Sequence, residues 1–216
     1  MGDSTPALPS DSRSKLLDVA ESRFARSGFG GVGMRDVALA AGLSKSTLFH
    51  HFDTKAALYA EVVGRVIARV GERLEPALAS GAPPAERLER MSDALVDALA
   101  EHPASAPLLL RSLFEADPAV LGGEGDEPGV ERLLRGLIDQ FQHLVREGID
   151  AGVFRDVSVP DTTQTIIGAA VFHFASGEFG EERFGGASLF SAESVARRRR
   201  EQREFFRRAL VQESAP

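Results

Sequence analysis

Residues 34–52, MRDVALAAGLSKSTLFHHF, constrain the fold more than any other stretch of the chain. Residues 34–41 have the spacing of a short helix, with Val37, Ala38 and Ala41 on its inner side. Gly42 breaks it, Leu43 and Ser44 turn the chain, and Ser44 is a good N-cap for a second short helix over 45–51. Leu48 and Phe52, four apart, face inward. Phe49 and His50 face outward, and His51 is expected to pack or bond internally. Helices this short are not stable alone. They must lie on neighbours, here the helix before them and the start of the helix after. That is a helix-turn-helix, whose second helix presents its N-terminal residues to base edges in the DNA major groove.

The flanking sequence supplies those neighbours. Leu16, Ala20 and Phe24 recur every fourth residue, with Leu17 beside them, and mark one face of a helix that ends at Ser27 and Gly28. Asp53 or Thr54 can cap a long helix carrying Leu58, Tyr59, Val62, Val63, Val66, Ile67, Val70 and Leu74. Helical patterns resume at 85–101, 105–116, 130–151, from Pro160 onward, and 192–211; residues 117–129 and 177–191 read as loops. Strand signals and internal repeats are absent. The fold class is all-α with about nine helices: an N-terminal three-helix domain and a larger C-terminal helical domain.

Composition narrows the function classes. The chain has 216 residues, 43% of them hydrophobic, enough for a proper core. It has no cysteine, which excludes a disulfide framework, a Cys-ligated zinc finger and a thiolate nucleophile. No apolar run reaches the length of a membrane span, and the N-terminus lacks a signal-peptide pattern, so a cytoplasmic location is expected. The net charge of −7 is unusual for a DNA binder. Residues 1–55, however, hold seven Lys and Arg against six Asp and Glu, so the acidic excess is entirely C-terminal. The field at a nucleic-acid surface depends on local charge.

The chemistry at the second short helix suits DNA. Lys45 can reach a phosphate, Ser46 and Thr47 carry short hydroxyls for base edges or phosphates, and the Thr47 methyl can meet a thymine methyl. Lys55, opening the next helix, can hold phosphate from the other side. From Lys15 to about Val63 the sequence resembles the tetracycline-repressor (TetR) family of bacterial regulators. The resemblance rests on LLDVA with Phe24, SGFGG, MRDVALAAGLSKSTLFHHF and DTKAALYAEVV. It implies a ligand-responsive repressor that binds a pseudo-palindromic operator as a homodimer. Its implied DNA contacts are Lys45, Ser46, Thr47, Phe49, His50 and Lys55. Two departures stand out. Gly33 occupies a position where the family often has a Thr or Ser cap, and Phe49 replaces a Tyr whose hydroxyl reaches phosphate. Both predict weaker anchoring to the DNA backbone.

The resulting domain division is a flexible tail over 1–10, a helix-turn-helix domain over 11–56, a ligand-binding and dimerisation domain over 57–212, and a tail over 213–216. REGIDAGVFRDV and the Pro-started helix after it are similar to many family members. An unidentified apolar or aromatic effector would meet Met91, Arg111, Phe114, Phe141, His143, Phe172 and His173. By default, aromatic residues at helical spacing are core, the two histidines are hydrogen-bonded core groups, and Arg111 snorkels to the surface. The resemblance places a dimer interface on the last two helices, at Ile166, Ile167, Ala170, Val171, Phe174, Val195, Gln202, Phe205, Phe206 and Leu210.

Other motifs carry less. Gly28, Gly30 and Gly33 match a dinucleotide-binding G-x-G-x-x-G, but that site needs a strand before it, and a helix stands there. The arginine run at 197–200 reads as a solvated helix face, supported by Glu204 and Arg208 at i,i+4. No catalytic constellation, metal site or cofactor is expected. The competing classes are an enzyme or ligand carrier built on the helical domain, revealed by turnover, and a protein-binding adaptor, revealed by absence of DNA binding at low salt.

Overall fold

The computed structural model describes residues 9–79, 81–114, 129–184 and 186–212. The expected C-terminal tail, most of the N-terminal one, and nearly all of the acidic loop at 117–129 lie outside them. The described residues form ten helices: α1 (Pro9–Ser27), α2 (Met34–Ala40), α3 (Lys45–His51), α4 (Lys55–Leu78), α5 (Pro84–Glu101), α6 (Ser105–Ser112), α7 (Val130–Asp150), α8 (Val159–Ala175), α9 (Gly177–Phe184) and α10 (Ala192–Leu210). Two details differ from the sequence reading. α1 starts inside the expected tail. The expected loop at 177–191 contains α9, a helix of only eight residues with a weak apolar face, and short helices of this kind leave little periodicity to read.

The apolar residues form two clusters. The first joins Leu16, Leu17, Ala20 and Phe24 of α1 to Val37, Ala38, Leu48 and Phe52 of the short helices, and to α4 from Leu58 to Ile67. The second gathers Val70 and Leu74 of α4 with Met91, Leu95 and Leu99 of α5, Phe141 and Leu144 of α7, Ile166 and Phe174 of α8, and Phe206 and Leu210 of α10. α4 therefore belongs to both halves of the molecule, and its continuous apolar stripe is why one helix can join them. Each large apolar side chain buried this way stabilises the fold by roughly 1.5–3 kcal/mol relative to exposure.

Charge reinforces the joint. The Glu21 carboxylate of α1 is only 5% exposed and receives Arg65 Nη2 at 2.7 Å and Arg69 Nη2 at 2.5 Å, both from α4. Arg65 also pairs with Asp18 at 2.8 Å, and Arg69 donates to Ser105 Oγ of α6 at 3.3 Å. At the far end of α6, Arg111 Nε donates to the Ala25 carbonyl of α1 at 3.1 Å. α6 is thus tied to α1 at one end directly and at the other through Arg69.

In the C-terminal half, α10 lies along α5. Gln202 Nε2 donates to Ser92 Oγ at 3.0 Å, Arg199 meets Asp97 at 3.3 Å, and Arg203 pairs with Asp93. The turn after α7 pairs with the end of α10: Arg155 N donates to Leu210 O at 2.8 Å, and Gln212 N to Val153 O at 2.9 Å.

Candidate nucleic-acid interface

The short helices are held by specific local devices. Gly42 takes φ +69°, a left-handed conformation that glycine adopts without steric cost, and Leu43 N then closes back onto Ala38 O at 2.9 Å. Ser44 caps α3: its Oγ accepts from Thr47 N at 3.0 Å and lies 2.8 Å from both Ser46 Oγ and Thr47 Oγ1. Leu48 is fully buried and Phe52 nearly so, with the Arg13 guanidinium 5.4 Å from the Phe52 ring centroid. His51 Nε2 lies 3.0 Å from Ser12 Oγ of α1. Thr54 caps α4 by accepting from Ala57 N at 3.0 Å.

With these contacts made, α3 turns one face to solvent. Lys45, Ser46, Phe49 and His50 are exposed, and Thr47 is half-buried. Lys45 Nζ stands 5.3 Å from the Phe49 ring centroid, within cation–π range. Lys55 has a different setting. Its ammonium donates to Val32 O at 3.2 Å and lies 4.4 Å over the Phe29 ring, which itself packs edge-on against Tyr59. It braces the 28–33 loop against α4. α2 opens at Gly33, whose carbonyl accepts from Asp36 N and Val37 N and which has no side-chain cap.

Sequence reasoning missed Ser12, Glu21, Arg65 and Arg69. One signal was available: Glu21 adjoins Ala20 on the apolar face of α1, and Arg65 and Arg69 stand at i,i+4 on α4, spaced to grip one carboxylate from both sides.

The family described as bacterial regulatory proteins, tetR family, matches residues 16–62. The tetracyclin repressor-like C-terminal domain matches residues 84–205, more than half of the chain. The chain belongs to the TetR family. Among curated TetR-family relatives, it is 31% identical over 102 residues to the HTH-type transcriptional repressor KstR2 of Mycolicibacterium smegmatis, covering 47% of this chain and 49% of that protein. It is 32% identical over 110 residues to an uncharacterized HTH-type transcriptional regulator of Mycobacterium tuberculosis, covering 51% of this chain and 52% of that one. The chain thus spans about half the length of these relatives. The solved structure of the ketosteroid transcriptional regulator KstR2 of Mycobacterium tuberculosis shares the fold, with a TM-score of 0.70 at 20% identity over 93% of this chain and 95% of that one.

For a TetR-family chain, the residues expected to line an effector pocket are scattered. Met91 and Phe141 are sealed in the C-terminal core. Phe114, His143 and Phe172 face solvent, and Arg111 is bonded to the end of α1. The structure does not gather these seven around one cavity. Periodicity marked them as non-surface or unusual without saying which helix each would face.

His173 is half-buried, and its Nε2 has no hydrogen-bond partner. Burial, then the Arg198 and Arg197 charges, lower its pKa to about 4. The neutral ring is the folded form, while the unfolded chain takes up a proton below about 6.5. Stability is therefore fully present above pH 6.5 and declines as pH falls toward 4. Wild type should lose at most about 2 kcal/mol from this group between pH 7 and pH 5. His173→Phe should flatten that slope in urea titrations at the two pH values; an unchanged slope would assign it to other groups.

The expected dimer stripe also divides. Ile166, Ala170, Phe174, Gln202, Phe206 and Leu210 are buried within the single chain, and Ile167, Val171 and Val195 are half-buried. Most of that stripe forms the seam of α8 and α10 with the rest of the domain. The outward apolar groups are Phe172 and Phe205, each 62% exposed, with Ala209 exposed as well. The arginine run is only partly solvated: Arg198 donates to Ala169 O at 2.6 Å, and Arg199 meets Asp97.

Among the described residues, no group of three or more His, Cys, Asp and Glu is placed to hold a metal ion, and no helix is long and apolar enough to cross a membrane.

Proposed function

We propose that this chain is a DNA-binding transcriptional repressor that works as a homodimer and is released by a small apolar or aromatic effector. The observation that carries this reading is α3. Its packing, its Ser44 cap and the Ser12–His51 contact leave Lys45, Ser46, Phe49 and His50 on one exposed face. Lys45 serves phosphate, and the other three, with the Thr47 methyl, face the bases. Lys55 supports the loop, and its remaining donors are available to phosphate. The exposed faces of α8 and α10, carrying Phe172 and Phe205, meet a second copy. Two recognition helices then reach half-sites about one helical turn, roughly 34–36 Å, apart. The effector acts by binding the two possible spacings of the heads with different affinity; without that difference it shifts nothing.

The test is fluorescence-anisotropy binding to the intergenic DNA beside the gene, with salt and unlabelled competitor titrated. Tight, competitor-resistant binding supports the regulator. Absence of binding to any duplex at low salt removes it and leaves the adaptor. Lys45→Ala should weaken binding to all sequences alike. Because the dimer carries two such contacts, it should also reduce the slope of log K against log salt by about 2. A sequence-dependent loss would instead make Lys45 a base reader.

A further inference from the structure

Phe49 is an apolar ring on an otherwise polar exposed face. It remains 38% exposed on a helix whose other large apolar side chain, Leu48, is fully buried. Neighbouring hydroxyls are already engaged: Ser46 Oγ and Thr47 Oγ1 both lie 2.8 Å from Ser44 Oγ. Lys45 stands over the ring, which steadies it. Phe49 has no atom that can donate to or accept from a phosphate or a polar base edge. The major groove displays one apolar group, the C5-methyl of thymine. We infer that Phe49 reads a thymine methyl in each half-site of the operator. This rests on the DNA-binding reading above and assigns the ring a specificity role rather than a phosphate-anchoring one.

The experiment starts from duplexes enriched by the full-length protein out of a random pool. In the enriched operator each thymine is replaced in turn by deoxyuridine, which removes the methyl and keeps every hydrogen-bonding group. Affinities are measured for wild type, Phe49→Ala and Phe49→Leu. Since Phe49 lies outside the sealed core, the variants should melt close to wild type, and this is checked by circular dichroism. Wild type should lose roughly fourfold at one thymine in each half-site, and about sixteenfold when both are changed. Phe49→Ala should bind the thymine and deoxyuridine operators equally, and Phe49→Leu should retain part of the discrimination. If wild type is indifferent to every substitution, or if Phe49→Ala still discriminates, the inference falls while DNA binding stands. If the pool yields no enriched sequence, the DNA-binding reading falls and takes this inference with it.

Discussion

Replacing Glu21 with alanine is expected to lower the unfolding free energy by about 3–5 kcal/mol, because it removes the carboxylate that two largely buried arginines share and leaves Arg65 only Asp18 and Arg69 only Ser105. Arg65 and Arg69 reach the two oxygens of Glu21 from successive turns of α4, and both side chains are about three-quarters buried. Burial by itself would raise the Glu21 pKa. The hydrogen bonds from Arg69 and Arg65 outweigh it and hold the carboxyl below its ordinary value of 4.5. The depressed pKa means that the stabilisation is complete above the unfolded value and is lost as pH falls through the folded one. Wild type should therefore show an acid-sensitive branch below about pH 4.5 that Glu21→Gln lacks. Urea midpoints at pH 7 and across the acid range measure both effects. A loss under 1 kcal/mol at pH 7 would show that solvent rehydrates the arginines readily and that the buried pair contributes little.

Gly148→Ala is the second large effect, with an expected loss of about 3–5 kcal/mol, comparable to deleting a buried phenylalanine side chain. A Cβ at 148 would overlap the Cγ, Cδ2 and Cε2 carbons of Phe154. That ring cannot swing aside cheaply. Val153 N and Phe154 N both donate to Gly148 O at 2.9 Å, the Phe154 carbonyl accepts from Gln212 Nε2 at 3.0 Å, and the ring is almost completely buried. A double-mutant cycle isolates the clash. In a Phe154→Ala background the ring that the added methyl would overlap is gone, and the change should be neutral or help by up to about 1 kcal/mol through helix propensity. Equal losses in both backgrounds would assign the cost to α7 itself.

The two predictions show how differently the halves of this chain could be read. In the N-terminal half, local rules suffice. Ser44 and Thr54 sit where caps are needed, Gly42 where the turn needs φ > 0, and Leu48 and Phe52 at the spacing that packs a short helix. Each element is fixed by neighbours within a few residues, so the head and its exposed face were legible. The C-terminal half is built from long helices with broad apolar faces. Its motif around Gly148 could be recognised, but the reason for it, a ring from the next turn lying on the glycine, could not.

The sequence by itself determined the helical class, the helix-turn-helix, and the residues α3 turns outward, because helical periodicity, caps and glycine breaks act over three or four residues. Only the tertiary structure decided which apolar residues of the last helices are sealed in the core and which, like Phe172 and Phe205, stay exposed, and that Glu21 joins α1 to α4 while Arg111 joins α6 to α1. These depend on contacts between residues such as Glu21 and Arg69, or Ala25 and Arg111, separated by 48 and 86 positions. An apolar face has the same pattern whether it meets its own core or another chain, and a buried charge is told from an exposed one only by what the fold brings beside it.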